Sequence, residues 1–297
     1  MRWEELREEE FEGAIERSKG VCVLPIGCLE KHGQHLPVGM DSFAAHEICY
    51  KAAQLEEVMV FPTGMWLGDS MHLHPATDPG AERKRGYIAI NPHTLLTILT
   101  ELCDEIARNG FRKILICNAH GGNKELLSYF ARAQGYTKKS YATMFTDITV
   151  FANGKEQRVD GLYKAAQENP EAFPMLTQQD MEILAHWCKT GTGGGHADFV
   201  ETAVMLGLHP ELVRPDKYEA ESGLSTHRAD HLVNANITST MAFWDANYPN
   251  AYHGYAPLGC TETIGQALIA HRARNLAEVF KILKDDEECV KIAQKYL

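Results

Sequence analysis

Three short apolar, β-branched runs, at residues 21–26, 58–62 and 113–117, each end in polar sequence and are separated by helical patterns. No other feature limits the fold so strongly. An apolar run of roughly four to eight residues without polar alternation reads as a strand covered on both faces. The stretches at 42–55 and 92–109 carry helical periodicity, and Asn91-Pro92 and Asn109-Gly110 punctuate the second at its two ends. Strand, helix, strand, helix predicts βαβ units, and therefore a parallel sheet with helices packed on it. Further elements are expected as a helix from Asn123, a strand at 141–148, and helices at 199–208 and 261–283. The polar stretch 153–174 and the glycine-rich stretch 190–195 read as mobile segments beside a site. Composition never shifts along the chain, so residues 1–297 are expected to form a single domain.

Charge and cysteine usage remove several function classes. The net charge is −11, and the basic runs are no longer than Arg83-Lys84-Arg85, which excludes a nucleic-acid partner. No window approaches the roughly 20 apolar residues that span a bilayer, and the first residues are charged, so no membrane partner and a cytoplasmic location are expected. The 8 cysteines are scattered without a CxxC pair and read as reduced thiols. A serine or cysteine nucleophile is disfavoured: no GxSxG elbow is present, and neither Cys28 nor Cys260 has a context that marks it as activated.

In open parallel sheets, ligands gather beyond the carboxyl ends of the strands. The segment PIGCLEKHGQHLPVGMD leaves the first run and carries Glu30, His32, His35 and Asp41. In extended chain, residues i and i+2 point the same way, so Glu30 and His32 can converge on one cation. The third run ends in ICNAHGGN and delivers His120; GGGHADFVETAVML supplies His196, then Glu201 on the opening turns of an apolar helix. Imidazoles mixed with carboxylates suit Zn, Mn or Fe(II) better than Ca or Mg. A carboxylate buried on an apolar helix needs a partner, and a metal is one. Plainer readings exist for each residue: Asp41 as a helix N-cap, Glu30 and His32 as solvated surface, His120 in a tight turn capped by Asn123, Glu201 as an exposed charge at a helix N-terminus. Their joint occurrence at the ends of strands favours the metal.

LPIGCLEKHGQHLPVGMD, NAHGGN and GHADFVETAVML, with a weaker match at GYAPLGCTETIG, resemble the creatininase family in order and spacing over residues 20–265. The resemblance implies a three-layer α/β/α fold with a mostly parallel central sheet and two divalent metals per chain, Zn, Mn or Fe. It also implies a homo-oligomer, such as a hexamer built as a trimer of dimers. By position, Glu30 and His120 would hold one metal, His32 the other, and Asp41 would bridge them. His196 would move a proton beside the substrate. Gly122 stands where creatininase itself has a glutamate ligand, and Glu201 is the candidate replacement. Thr192 and glycines stand where a tryptophan closes over creatinine, so creatinine is not the expected substrate. His72, in the segment MWLGDSMHLHPATDPG, and Asn123 are the expected substrate contacts.

The implied reaction is metal-activated hydrolysis of a C–N bond in a small amide or formamide. Opening of a cyclic amide, removal of a formyl group from a formamidopyrimidine and cleavage of a small peptide all lie within the family. The alternative outside it is a non-enzymatic α/β protein whose glycine-rich turns cradle a small anion.

Overall fold

The first three apolar runs lie side by side in one sheet. In this computed structural model, which describes residues 1–70, 86–191, 195–237 and 242–295, helix α1 (Phe11–Arg17) leads into β1 (Val21–Ile26). Then follow α2 (Met40–Leu55), β2 (Met59–Val60), α3 (Pro92–Arg108), β3 (Lys113–Asn118), α4 (Asn123–Ala133) and β4 (Ala142–Asp147). All pairings within this sheet are parallel, in the order β2-β1-β3-β4. The registers Ile26↔Asn118 and Asn118↔Asp147 end three strands at one level. The chain runs from β1 outward to β2 and returns through α3 to β3 on the other side of β1, so the sheet reverses its winding between β1 and β3. That crevice is where α/β sheets place ligands.

Side-chain alternation along β1 builds the layers. Val21 and Val23 join a core with α2, while Cys22, Leu24 and Ile26 join a separate core with α1, α3 and α4. The face behind α2 is thickened by the second half of the chain. There the β5–β6 hairpin (Phe151–Ala152 and Lys155–Glu156) precedes α5 (Val159–Glu168), α6 (Gln178–Thr190) and α7 (Phe199–Leu208). The short helices α8 (Asp230–Val233) and α9 (Ala242–Asn247) follow, then the long α10 (Glu262–Asp285) and α11 (Cys289–Lys295). Ala203 and Val204 of α7 share the α2 core with Leu268, Leu276 and Phe280 of α10. Each such fully buried Leu or Phe contributes roughly 1.5–3 kcal/mol. Helices therefore cover both faces of a parallel sheet, the expected three-layer α/β/α arrangement. Among the described residues, no helix is long and apolar enough to cross a membrane.

Two expectations need correction. The run at 58–62 pairs only at Met59 and Val60, because Pro62 has no N–H to continue the ladder. The polar stretch 153–174 is largely structured. Asn153 and Gly154, with φ of 52° and 68°, turn the β5–β6 hairpin, and Val159, Leu162 and Ala166 form the buried stripe of α5. In the glycine-rich stretch, Thr190 closes α6 and 192–194 lie outside the described residues.

One contact sets the height of α2 against the sheet. A Cβ at Gly27, just past β1, would lie 2.5 Å from the Ser42 nitrogen and 2.6 Å from the Asp41 carbonyl carbon. Both are backbone atoms, so relief requires moving the helix itself. Gly27→Ala should therefore destabilise the protein by at least the roughly 1–3 kcal/mol typical of overpacking, measured as a lower urea midpoint. A wild-type midpoint would show that α2 moves freely against β1.

Candidate metal centre

Four stretches converge at the β1–β3 crevice. The loop leaving β1 brings Cys28, Glu30 and His32, pinned by a Glu30 N–H to Val38 carbonyl hydrogen bond of 3.0 Å. Ser42 Oγ donates to the Cys28 carbonyl at 3.1 Å and ties this loop to the start of α2. Asp41 is the second residue of α2, whose N-cap is Gly39, so its carboxylate is not a cap. His120 follows β3, and Glu201 sits in the first turn of α7, whose N-cap Asp198 accepts from the Val200 and Glu201 N–H groups.

Asp41 lies between two histidines. Its Oδ1 is 3.3 Å from His32 Nε2, and its Oδ2 is 2.9 Å from His120 Nδ1. Glu30 Oε1 is 3.2 Å from His120 Nδ1 and 3.9 Å from His32 Nε2. Glu201 Oε2 is 3.6 Å from His32 Nε2 and also accepts the Ala197 N–H. Among the described residues the donors fall into three overlapping groups: Cys28, Glu30, Asp41 and His120; His32, Asp41 and Glu201; and Glu30, His32 and His196. Asp41 belongs to the first two. Tetrahedral Zn–N and Zn–O bonds of about 2.0–2.1 Å place neighbouring ligand atoms about 3.3 Å apart, close to these separations.

The ring nitrogens are already sorted. His120 Nε2 is 3.0 Å from the Asp69 carbonyl and His32 Nδ1 is 3.2 Å from the Glu30 carbonyl. A carbonyl only accepts, so these nitrogens carry the protons, and the opposite ones face the carboxylates, an arrangement typical of metal-binding histidines. His32 Nε2 is fully buried and makes no hydrogen bond. A lone pair there would face three carboxylates, which is repulsive unless a cation or a proton intervenes.

The ionisation preferences report the same demand for positive charge. Burial opposes a charged His32, yet Asp41, Glu201 and Glu30 outweigh it and raise the ring to about 10. His120 is likewise raised, against its burial, by Cys28, Glu30 and Asp41. Burial would raise Asp41, but His32 and His120 hold it low, whereas burial pushes Glu201 up to about 8. His196 differs. Burial and the neighbouring His32 lower it to about 4, so it is neutral near pH 7. Its Nε2 donates to the Lys31 carbonyl at 2.9 Å, which leaves Nδ1 facing Glu30 Oε1 at 3.4 Å.

Of the residues singled out in the sequence, Glu30, His32, Asp41, His120, His196 and Glu201 come together here. His72 lies outside the described residues. The assignment of Asn123 to substrate is corrected by its surroundings. It is fully buried, accepts from the Asp69 N–H at 2.6 Å, and donates to the Gly27 carbonyl and Asn118 Oδ1, both at 3.0 Å. Asn123 thus braces the loops that carry Glu30 and His120. A Cβ at Gly122 would approach His120 Nε2 to 2.5 Å, so the ring occupies the space a side chain there would need.

The sequence assigns no role to the other participants. His35 Nε2 lies 3.0 Å from the Ala197 carbonyl and 3.1 Å from Thr202 Oγ1, fastening the segment that carries His196 and Glu201 to the β1 loop. Trp244 of α9 stands edge-on to His196, with ring centroids 5.2 Å apart. Arg158 and Arg272 line a cavity of about 120 Å³ that reaches Glu201. Pairing between residues this far apart in sequence has no local signal.

A sequence model described as creatininase, creatinine amidohydrolase, matches residues 4–280. The creatinine amidohydrolase of Pseudomonas putida is 24% identical over 213 residues, covering 72% of this chain and 74% of its own. A mycofactocin precursor peptide peptidase of Mycobacterium tuberculosis (strain CDC 1551 / Oshkosh) is 26% identical over 206 residues, covering 67% of this chain and 62% of its own. Among solved structures, a mutant creatininase of Zn-Zn type aligns with TM-score 0.67 and 18% identity, covering 96% of this chain and 98% of the other. One titled Creatininase Mn aligns with TM-score 0.66 and 17% identity, covering 96% and 99%. These alignments establish the shared fold.

The raised groups give a signed pH dependence for metal-free protein. A His32 raised from 6.5 to about 10 stabilises the fold fully below pH 6.5, and that contribution is lost as pH rises through 10. Glu201, raised from 4.5 to about 8, acts in the same direction at lower pH. Metal binding instead strengthens as ligands lose protons. The Tm of chelator-treated protein should fall between pH 6.5 and 10, while the Tm of zinc-loaded protein stays nearly level, so the gap between them widens. Parallel curves would mean that the carboxylates do not share a cation.

Proposed function

Because the chain belongs to the creatininase family of amidohydrolases, we propose that it is a two-metal hydrolase of a C–N bond in a small amide or formamide, with residues 1–297 acting as one catalytic domain. The observation that carries this reading is the pair of donor sets sharing Asp41. Glu30, Asp41 and His120 would hold one divalent ion, and His32, Asp41 and Glu201 the other, with Zn, Mn and Fe(II) all suited to such ligands. The fit rests on two features of the site: His32 Nε2 is buried without a hydrogen bond, and both ring N–H groups are turned to carbonyls. When bound, such ions supply Lewis acidity and a water that ionises near neutral pH.

The remaining chemistry falls to the chain. His196, neutral and with Nδ1 turned toward Glu30, is placed to accept a proton and hand it to the departing nitrogen. Its hydrogen bond to the Lys31 carbonyl fixes the ring for that exchange. Trp244 offers an apolar wall beside it. The relatives' names cover both a creatinine amidohydrolase and a peptide peptidase, so family membership alone does not choose the substrate. With Thr192 and glycines in place of a ring-closing tryptophan, the reading favours an amide or formamide other than creatinine, a formamidopyrimidine included. An anion-binding role is disfavoured, since the buried carboxylates of Glu30 and Asp41 and the partly buried one of Glu201 line the crevice.

The same reading includes homo-oligomers, in line with exposed Val38, Trp66 and Ile88 around the β1 loop and its flanks, and a trimer of dimers is one such assembly. Action in the cytoplasm accords with all cysteines being free thiols.

The test is a panel of formamides, cyclic amides and short peptides assayed for released formate, amine or carboxylate. Chelation should abolish turnover and Zn or Mn should restore it. His196→Gln should lower kcat roughly 100- to 10,000-fold while bound metal is unchanged. Turnover that survives complete metal removal would sink the proposal.

A further inference from the structure

We propose that Cys28 is a fourth protein ligand of the metal position formed by Glu30, Asp41 and His120, and that its sulfur makes this position select thiophilic ions such as Zn over Mn or Mg. This deepens the two-metal reading and rests on it.

Cys28 is fully buried, with Sγ 3.3 Å from Asp41 Oδ2. Its sulfur and one donor atom each from Glu30, Asp41 and His120 all lie within 4.8 Å of one another. A tetrahedral ion with Zn–S of about 2.3 Å and Zn–O of about 2.0 Å sets sulfur and oxygen about 3.5 Å apart, and nitrogen and oxygen about 3.3 Å apart. The observed edges are 3.3 Å for Cys28–Asp41, 2.9 Å for His120–Asp41 and 3.2 Å for His120–Glu30. A hydrogen bond from the thiol alone would explain the first edge but not why three further donors surround the same point.

The sulfur is held there by the backbone. Ser42 Oγ fixes the Cys28 carbonyl, and the close approach of Gly27 to α2 fixes the direction in which the next side chain leaves. Among the described residues, no other cysteine joins a donor set: Cys22 and Cys103 lie in one apolar core, Cys49 and Cys117 in the other. The position formed by His32, Asp41 and Glu201 offers only nitrogen and oxygen. The two positions therefore differ in softness, and Mn is confined to the second. Binding is a simple exchange in which the Cys28 S–H proton leaves to solvent as the sulfur–metal bond forms, with no change of oxidation state.

Metal-free full-length protein titrated with Co²⁺ tests this directly. The wild type should bind cobalt with a sulfur-to-cobalt charge-transfer band in the near ultraviolet, and Cys28→Ser should bind cobalt without it. In competition, the preference of this position for Zn over Mn should drop at least about tenfold in the variant, the range carried even by outer-sphere partners. X-ray absorption on the zinc-loaded wild type gives a readout independent of any variant: a sulfur neighbour at about 2.3 Å is expected. Cobalt bound without the charge-transfer band, or a zinc shell of nitrogen and oxygen only, would overturn the Cys28 ligand and leave the two-metal site standing. A wild type that binds no cobalt would overturn both.

Discussion

The structure turns on Asp41, a carboxylate buried at the start of α2 with one oxygen toward His32 and the other toward His120. An ionised carboxylate in such a place carries a desolvation penalty of several kcal/mol unless positive charge stands beside it. Glu30 and Glu201 add to the same negative region, so the two imidazoles alone must carry protons well above their ordinary range. Divalent cations satisfy the same demand without those protons. The rest of the fold sets where this happens. The Ile26↔Asn118 register brings the Glu30 loop and His120 level, Gly27 lets α2 approach β1, and α7 is seated by its packing on α10.

Much of this was legible in the sequence because it is local. The strand β1 was marked by a continuous apolar run, and Glu30, His32 and Asp41 follow it within one segment. His120 was marked the same way by the end of β3. What stayed hidden depends on contacts across the fold. Nothing local tells whether the Asn123 amide faces a substrate or braces two loops, and its hydrogen bonds to Gly27 and Asn118 decide for bracing. Cys28 looked like an ordinary buried thiol until α2 brought Asp41 to its sulfur. Trp244 and Arg272 enter from the second half of the chain, far in sequence from the β1 loop beside which they approach the site.

His196 stands apart from the charge balance of the site. It adjoins the same carboxylates as His32, with ring centroids 4.3 Å apart, yet burial and the neighbouring ring keep it neutral. One histidine thereby takes up positive charge while the other stays neutral. The segment that carries His196 and Glu201 is held by His35, and Ala197 adopts a left-handed φ of 56° to direct its N–H at Glu201. Such strain costs of order 1 kcal/mol or more and persists where surrounding contacts hold it.

Elemental analysis of protein purified without chelator or affinity tag, comparing wild type with Glu201→Ala and Asp41→Ala, tests the shared carboxylate most directly. The account predicts about two divalent ions per chain in the wild type, about one in Glu201→Ala, and nearly none in Asp41→Ala, as expected when one group serves both ions of a two-metal site. An Asp41→Ala protein that still holds about two ions, or a wild type that cannot be loaded beyond about one, would contradict it.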